Sequence, residues 1–243
     1  MIGLASPMFG KGDQAPPPPS GPIDPATLFA GGTAGAYYNF TEAASLAVNA
    51  DGTGGVPAIG AACRSALDKS PNGNRLRNTV ASVIRRANGI ETSGSNYGLF
   101  NMAGFGDWPT IPQPYEVVAC LEQLAHGGTD RRIIGANGLS LLQGATSGAV
   151  RFVASGNGIE INPGLNSEFV IDGYFSGALS SVAIDGGPMQ PSTGQGGGSC
   201  DGMVLGSNTG GGAPTQVRFK HLLVIGRALT AAERAGVVQW MQA

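Results

Sequence analysis

VRFKHLLVIGRALTAAERAGVVQWM, residues 217–241, carries two periodicities in one run. Val217 to Ile225 alternates apolar and polar residues at its start and then turns apolar, as a closing strand does. Thr230-Ala-Ala-Glu233 is a capping box, with Thr230 placed to cap a helix and Glu233 three residues on to reach back. Ala231, Ala235, Val238 and Met241 follow at helical spacing and give the helix one apolar face. The segment predicts a last strand and one short helix laid against whatever precedes it.

What precedes it reads as strands. Tyr115 to Leu124 (YEVVACLEQL) is a largely buried strand, with Cys120 as a buried thiol inside it. Arg131 to Ala136 and Leu139 to Gln143 follow after turn signals at Gly127-Gly128 and Asn137-Gly138. Ala149 to Ala154 and Gly158 to Asn162 flank the hairpin signal Gly156-Asn157. Glu168 to Tyr174, Leu179 to Asp185 and Met203 to Gly206 continue the meander.

Composition agrees. The 243 residues include 41 glycines and 16 prolines, together roughly twice average usage, while charged residues make up only 12%. A helical bundle, a coiled coil and a charge-rich disordered chain are therefore excluded, and the 42% apolar fraction supports a core. The expected fold is an all-β sandwich with a short C-terminal helix. The net charge of −2 lacks the electrostatic footprint of a nucleic-acid binder. The pairs Arg85-Arg86 and Arg131-Arg132 are read as solvated strand or turn residues. No stretch approaches the length of a membrane span, and the N-terminus lacks the pattern of a secretory signal. Cys63, Cys120 and Cys200 form an odd set without metal-ligand spacing, which points to a reducing compartment.

Residues 1–30 stand apart as an extended N-terminal arm, leaving 31–243 as the sandwich. Four consecutive prolines, Pro16, Pro17, Pro18 and Pro19, favour polyproline II and cannot enter the middle of a sheet. Ile2, Leu4, Met8 and Phe9 ahead of them form a short apolar tip. Met8, Phe9 and the prolines are the candidate docking residues. The arm is expected to pack on a neighbouring subunit or a larger assembly, which implies self-association.

Chemistry-bearing patterns are sparse. There is no nucleophile elbow, and His126 and His221 lie in unrelated contexts, a turn and the last strand. Glu168 and Asp172, four residues apart on one strand, share a face as a glycosidase carboxylate pair would, but Asp172 leads into Gly173 as a turn acid does. No phosphate-binding glycine loop or calcium loop is present, so neither a cofactor nor a metal is expected. Gly106-Asp107-Trp108-Pro109 sits in an irregular stretch near Tyr97. Tyr97, Asp107 and Trp108 are the candidate ligand contacts, Trp108 either stacking on a sugar ring or pinning the loop to the sandwich.

Two sets of segments resemble known families. VIDGYFSGALSSVAIDGG (Val170–Gly187), GMVLGSN (Gly202–Asn208) and the run 217–241 together resemble the C-terminal half of concanavalin A-like jelly rolls of the LamG type. LFAGGTAGAYYNF (Leu28–Phe40), DGTGGVPA (Asp51–Ala58) and LDKSPNGN (Leu67–Asn74) resemble a pattern of tailed-phage virion proteins. The chain departs from that pattern at Tyr38-Asn39-Phe40-Thr41-Glu42, where two aspartates of the pattern are absent. The resemblance covers about residues 28–242. It implies a jelly roll on a virion structural protein assembled in the host cytoplasm, with other virion proteins as partners. A host surface glycan is the ligand it implies for a carbohydrate-binding adhesin, and a glycan-cleaving enzyme is the remote third reading.

Overall fold

The computed structural model describes residues 21–78, 83–94, 98–102, 108–136, 139–153, 158–192, 197–208 and 212–243. In chain order the strands begin with β1 (Gly35–Asn39), β2 (Leu46–Ala47), β3 (Ser65–Ala66), β4 (Leu76–Arg77), β5 (Val83–Arg86), β6 (Gly89–Thr92), β7 (Phe100–Met102) and β8 (Tyr115–Gln123). They continue with β9 (Arg132–Ala136), β10 (Leu139–Gln143), β11 (Val150–Val153), β12 (Ile159–Ile161), β13 (Glu168–Phe175), β14 (Ser181–Ile184), β15 (Gln190–Pro191), β16 (Gly202–Leu205) and β17 (Val217–Ile225). One sheet runs β15-β14-β13-β8-β17-β6-β5, with β1 also on β17; the other runs β12-β11-β10-β9-β16-β7-β4-β3-β2. Every ladder between them is antiparallel among the described residues, and the main core lies between the two sheets. The all-β sandwich read from the sequence is the observed fold. Within its core an aromatic stack joins the sheets: Tyr115 lies 4.7 Å and Phe152 lies 4.4 Å, centroid to centroid, from Phe175.

β17 explains the change of pattern in its own sequence. It is an interior strand of its sheet, paired with β8, β6 and β1, and its pairing with β8 shifts register between Phe219 and His221. Val217 and Phe219 face the inter-sheet core, and past this bulge Leu222 and Val224 do so instead. On the opposite, outer face the first half presents Arg218 and the second half presents Leu223 and Ile225. The apolar run is apolar because both of its faces are covered.

The outer cover is α1 (Ala231–Met241), the one α-helix among the described residues, with residues 23–29 beside it. The predicted capping box is formed: Thr230 Oγ1 accepts from Glu233 N, and Glu233 Oε2 accepts from Thr230 N at 2.8 Å. The predicted apolar face is rotated, however. Ala231 is exposed and Ala235 only half-buried, while Val237, Val238 and Met241 pack on Val118, Cys120, Val170, Leu223 and Ile225. Arg234 completes that i, i+3, i+4, i+7 stripe, and its carboxylate partners on the sheet fix the rotation. A short 3-10 turn, Pro25–Phe29, is capped by Asp24 and buries Leu28 and Phe29 in the same outer core. The last ten residues of the predicted arm, 21–30, thus include a segment packed on the sandwich. No helix among the described residues is long and apolar enough to cross a membrane.

Candidate functional site

The loops that carry the virion-like pattern meet at one end of β1. Asp68 is their hub: its carboxylate accepts from the backbone N–H groups of Tyr37, Ser70 and Asn74 and from the Ser70 hydroxyl. Burial raises the Asp68 pKa against the opposing pull of those four bonds. Asn72 and Asn74 donate to the Gly35 carbonyl at 2.9 and 2.8 Å, Asn72 also reaches the Thr33 carbonyl, and the Tyr38 hydroxyl donates to the Asn74 carbonyl. Asp51 makes the same kind of local closure with Thr53 N and Thr53 Oγ1. Asp51 and Asp68 are therefore satisfied by hydrogen bonds within their loops and, for Asp68, from β1.

Beside this hub lies a surface hollow of about 350 Å³ lined by Glu42, Ala44, Ser45, Leu67, Asp68 and Lys69. Lys69 and Glu42 pair across its rim at 2.8 Å and stay partly exposed. A shallow hollow with an apolar patch and one exposed ion pair suits the hydroxyl groups of a ligand resting on the surface.

The residues singled out from sequence do not converge there. Tyr97 and Asp107 lie outside the described residues, as do Met8, Phe9 and Pro16–Pro19. Trp108 is 4% exposed, belongs to the inter-sheet core and donates from Nε1 to the Cys200 carbonyl at 3.3 Å. Its ring packs the loop onto the sandwich and offers no face for a sugar. Glu168 and Asp172 share a face of β13 as their spacing predicts, but in unlike settings. Glu168 pairs with Lys220 at 2.5 Å near solvent. Asp172 is no turn acid: it sits mid-strand, buried under α1 against Arg234 and Glu116. His126 meets the Gly144 carbonyl at 3.2 Å. His221 is buried, and desolvation with Lys220 nearby pushes its pKa down to about 4, so the ring is neutral at pH 7.

Two clusters were missed in the sequence. Tyr37, His221 and Trp240 assemble at the edge of α1, with the Trp240 ring 5.6 Å from Tyr37 and 4.9 Å from His221. Glu116, Asp172 and Arg234 assemble beneath the helix. The signal for the second was present: an arginine in an otherwise apolar helical stripe calls for a buried anion.

No family model and no curated protein matches the chain. Solved structures do. Trypanosoma rangeli sialidase in complex with sialic acid superposes with a TM-score of 0.61 at 16% identity, over 87% of this chain and 33% of that one. The botulinum neurotoxin serotype D binding domain gives 0.53 at 12%, over 71% and 48%. A GH54 α-L-arabinofuranosidase soaked with a cyclic sulfate inhibitor gives 0.54 at 13%, over 90% and 65%. The chain spans about a third of the sialidase, and at these identities the likeness is one of fold.

Proposed function

We propose that the chain is a non-enzymatic structural protein of a tailed-phage virion, docked by residues 1–20 of its N-terminal arm and displaying the sandwich outward. The observation that carries this reading is the root of the arm. Ile23 N donates to the Gly236 carbonyl at 2.9 Å, and Leu28 and Phe29 sit in the core under α1. A tether that holds a domain on a particle needs such a fixed root, and residues 1–20 leave from it. The loops resembling the virion pattern add to the reading, since Asp68, Asn72 and Asn74 act as scaffold. The environments of Glu168 and Asp172 favour a non-enzymatic role over paired-carboxylate hydrolysis.

A second reading, a carbohydrate-binding adhesin, draws on the hollow by Lys69 and on fold neighbours that act on sugars. One experiment addresses both. Deleting residues 1–20 should leave a folded domain that no longer enters particles; normal incorporation defeats the docking role. The freed domain, added in excess, should leave phage adsorption unchanged if display is structural, and should block it if the sandwich is the receptor-binding element.

A further inference from the structure

Beneath α1 two fully buried carboxylates meet one partly buried guanidinium. Glu116 and Asp172 point outward from the neighbouring strands β8 and β13 and are 0% and 1% exposed. Arg234 descends from the helix with Nε 2.8 Å from Glu116 Oε1 and 2.7 Å from Asp172 Oδ2. The N–H is directed to Glu116, whose Oε1 accepts it while Oε2 accepts from Leu229 N at 2.7 Å. Asp172 is left with two buried oxygens and no hydrogen-bond donor. With one guanidinium set between two buried carboxylates, a bare Asp172 beside a bare Glu116 would leave one buried negative charge without its own counter-cation. A carboxylic acid in the same place supplies its own hydrogen, and Glu116 stands beside it to accept.

The other groups around the pair do not relieve it. Across β14 Asp172 is opposite Ala183, and across β17 Glu116 is opposite Ile225. Tyr174, opposite Glu116, and Glu168, paired with Lys220, are the other titratable side chains on that face of β13. Arg227 also acts on Glu116, but both of its terminal nitrogens are held by Glu233 at 2.8 and 2.9 Å.

We infer that Asp172 and Glu116 hold one proton between them, and that this proton is part of the latch keeping α1 on the sheet. Burial first, and the Glu116 charge next, raise Asp172 well above the ordinary carboxylate value. The closed state therefore binds one proton more than a state in which α1 has lifted and Asp172 meets water. The resulting stability is complete below the ordinary carboxylate value of about 4 and is lost as pH rises toward the raised one. Within that window the closed-to-open ratio falls about tenfold per pH unit. Because Ile23 is bonded to Gly236, the root of the arm lifts with the helix.

Hydrogen exchange of the α1 amides in the full chain, corrected for intrinsic rates and referred to the β8 amides, tests this. Above the ordinary carboxylate value of about 4 the opening constant should rise roughly tenfold per unit until the raised value is reached, and Asp172→Asn, whose amide still donates to Glu116, should flatten the slope. The infrared spectrum at neutral pH should show a protonated-carboxyl C=O band that Asp172→Asn removes. Equal slopes in the two proteins overturn the latch, and absence of the band overturns the shared proton. If Asp172→Asn fails to fold, the wild-type band and slope decide alone.

Discussion

The outer face of the eight-stranded sheet is built in two ways along the same strands. Toward one end β8, β13 and β17 present Val118, Cys120, Val170, Leu223 and Ile225, and α1 with residues 23–29 covers them. Toward the other end they present Glu122, Glu168, Arg218 and Lys220, joined by Glu91 and Arg86 from β6 and β5. There Arg218 bridges Glu122 at 2.6 Å and Glu91 at 3.2 Å, and Arg86 closes on Glu91 at 2.8 Å. The difference teaches that a strand's composition reports its cover residue by residue. Where a helix lies on the sheet the outward positions are apolar, and where water does they are paired charges. The exception, Glu116 with Asp172, sits under the helix and needs Arg234 to be there.

Three substitutions probe the contrast, starting with the largest effect. Phe29→Ala, in the covered half, should cost about 3–5 kcal/mol by denaturant unfolding, because it empties a fully buried ring site. A cost under about 1 kcal/mol would mean that the second core is mere veneer. Glu91→Gln, in the open half, should cost about 1–2 kcal/mol near pH 7, a value discounted for the solvent that screens Arg86. The Arg86 hydrogen bond holds Glu91 down at about 2, below the ordinary carboxylate value. Its contribution is therefore present above about pH 4.5 and lost as pH falls toward about 2, and the variant should lack that acid loss. Convergence of the two stability curves in acid checks the sign, which is opposite to that of the pair beneath α1. Glu168→Gln should cost under about 1 kcal/mol, since the Lys220 pair is partly exposed, and high salt should erase even that.

Much of the fold was legible, and the limits were physical. β10 and β17 follow the runs read from periodicity, and the capping box placed the start of α1, because these signals are local. Two Asp-Gly dipeptides show where local signals mislead. Asp185-Gly186 is a true turn: φ is 52° and 72° at its two residues, and Gly187 N donates to the Ile184 carbonyl at 2.9 Å. Asp172-Gly173 looks the same in sequence but lies mid-strand. Gly173 is there because a Cβ would come within 2.0 Å of the Phe152 ring packed across the core. That ring comes from the other sheet, so no reading of nearby residues could separate the two cases. The hollow by Lys69 was hidden for a similar reason, since its walls come from two segments, 42–45 and 67–69, that only tertiary pairing brings together.

Gly236 gives the contact between arm and helix a mechanical meaning. A Cβ there would sit 2.5 Å from Ile23 Cγ1, so the helix accepts its poorest non-proline former, at about 1 kcal/mol, to let residue 23 lie against its backbone. A pull entering the chain at residue 21 meets that seam first, drawing Ile23 along the helix before any strand of the sandwich carries load. The seam is then a fuse, yielding by a few contacts while the sheets behind it keep their register.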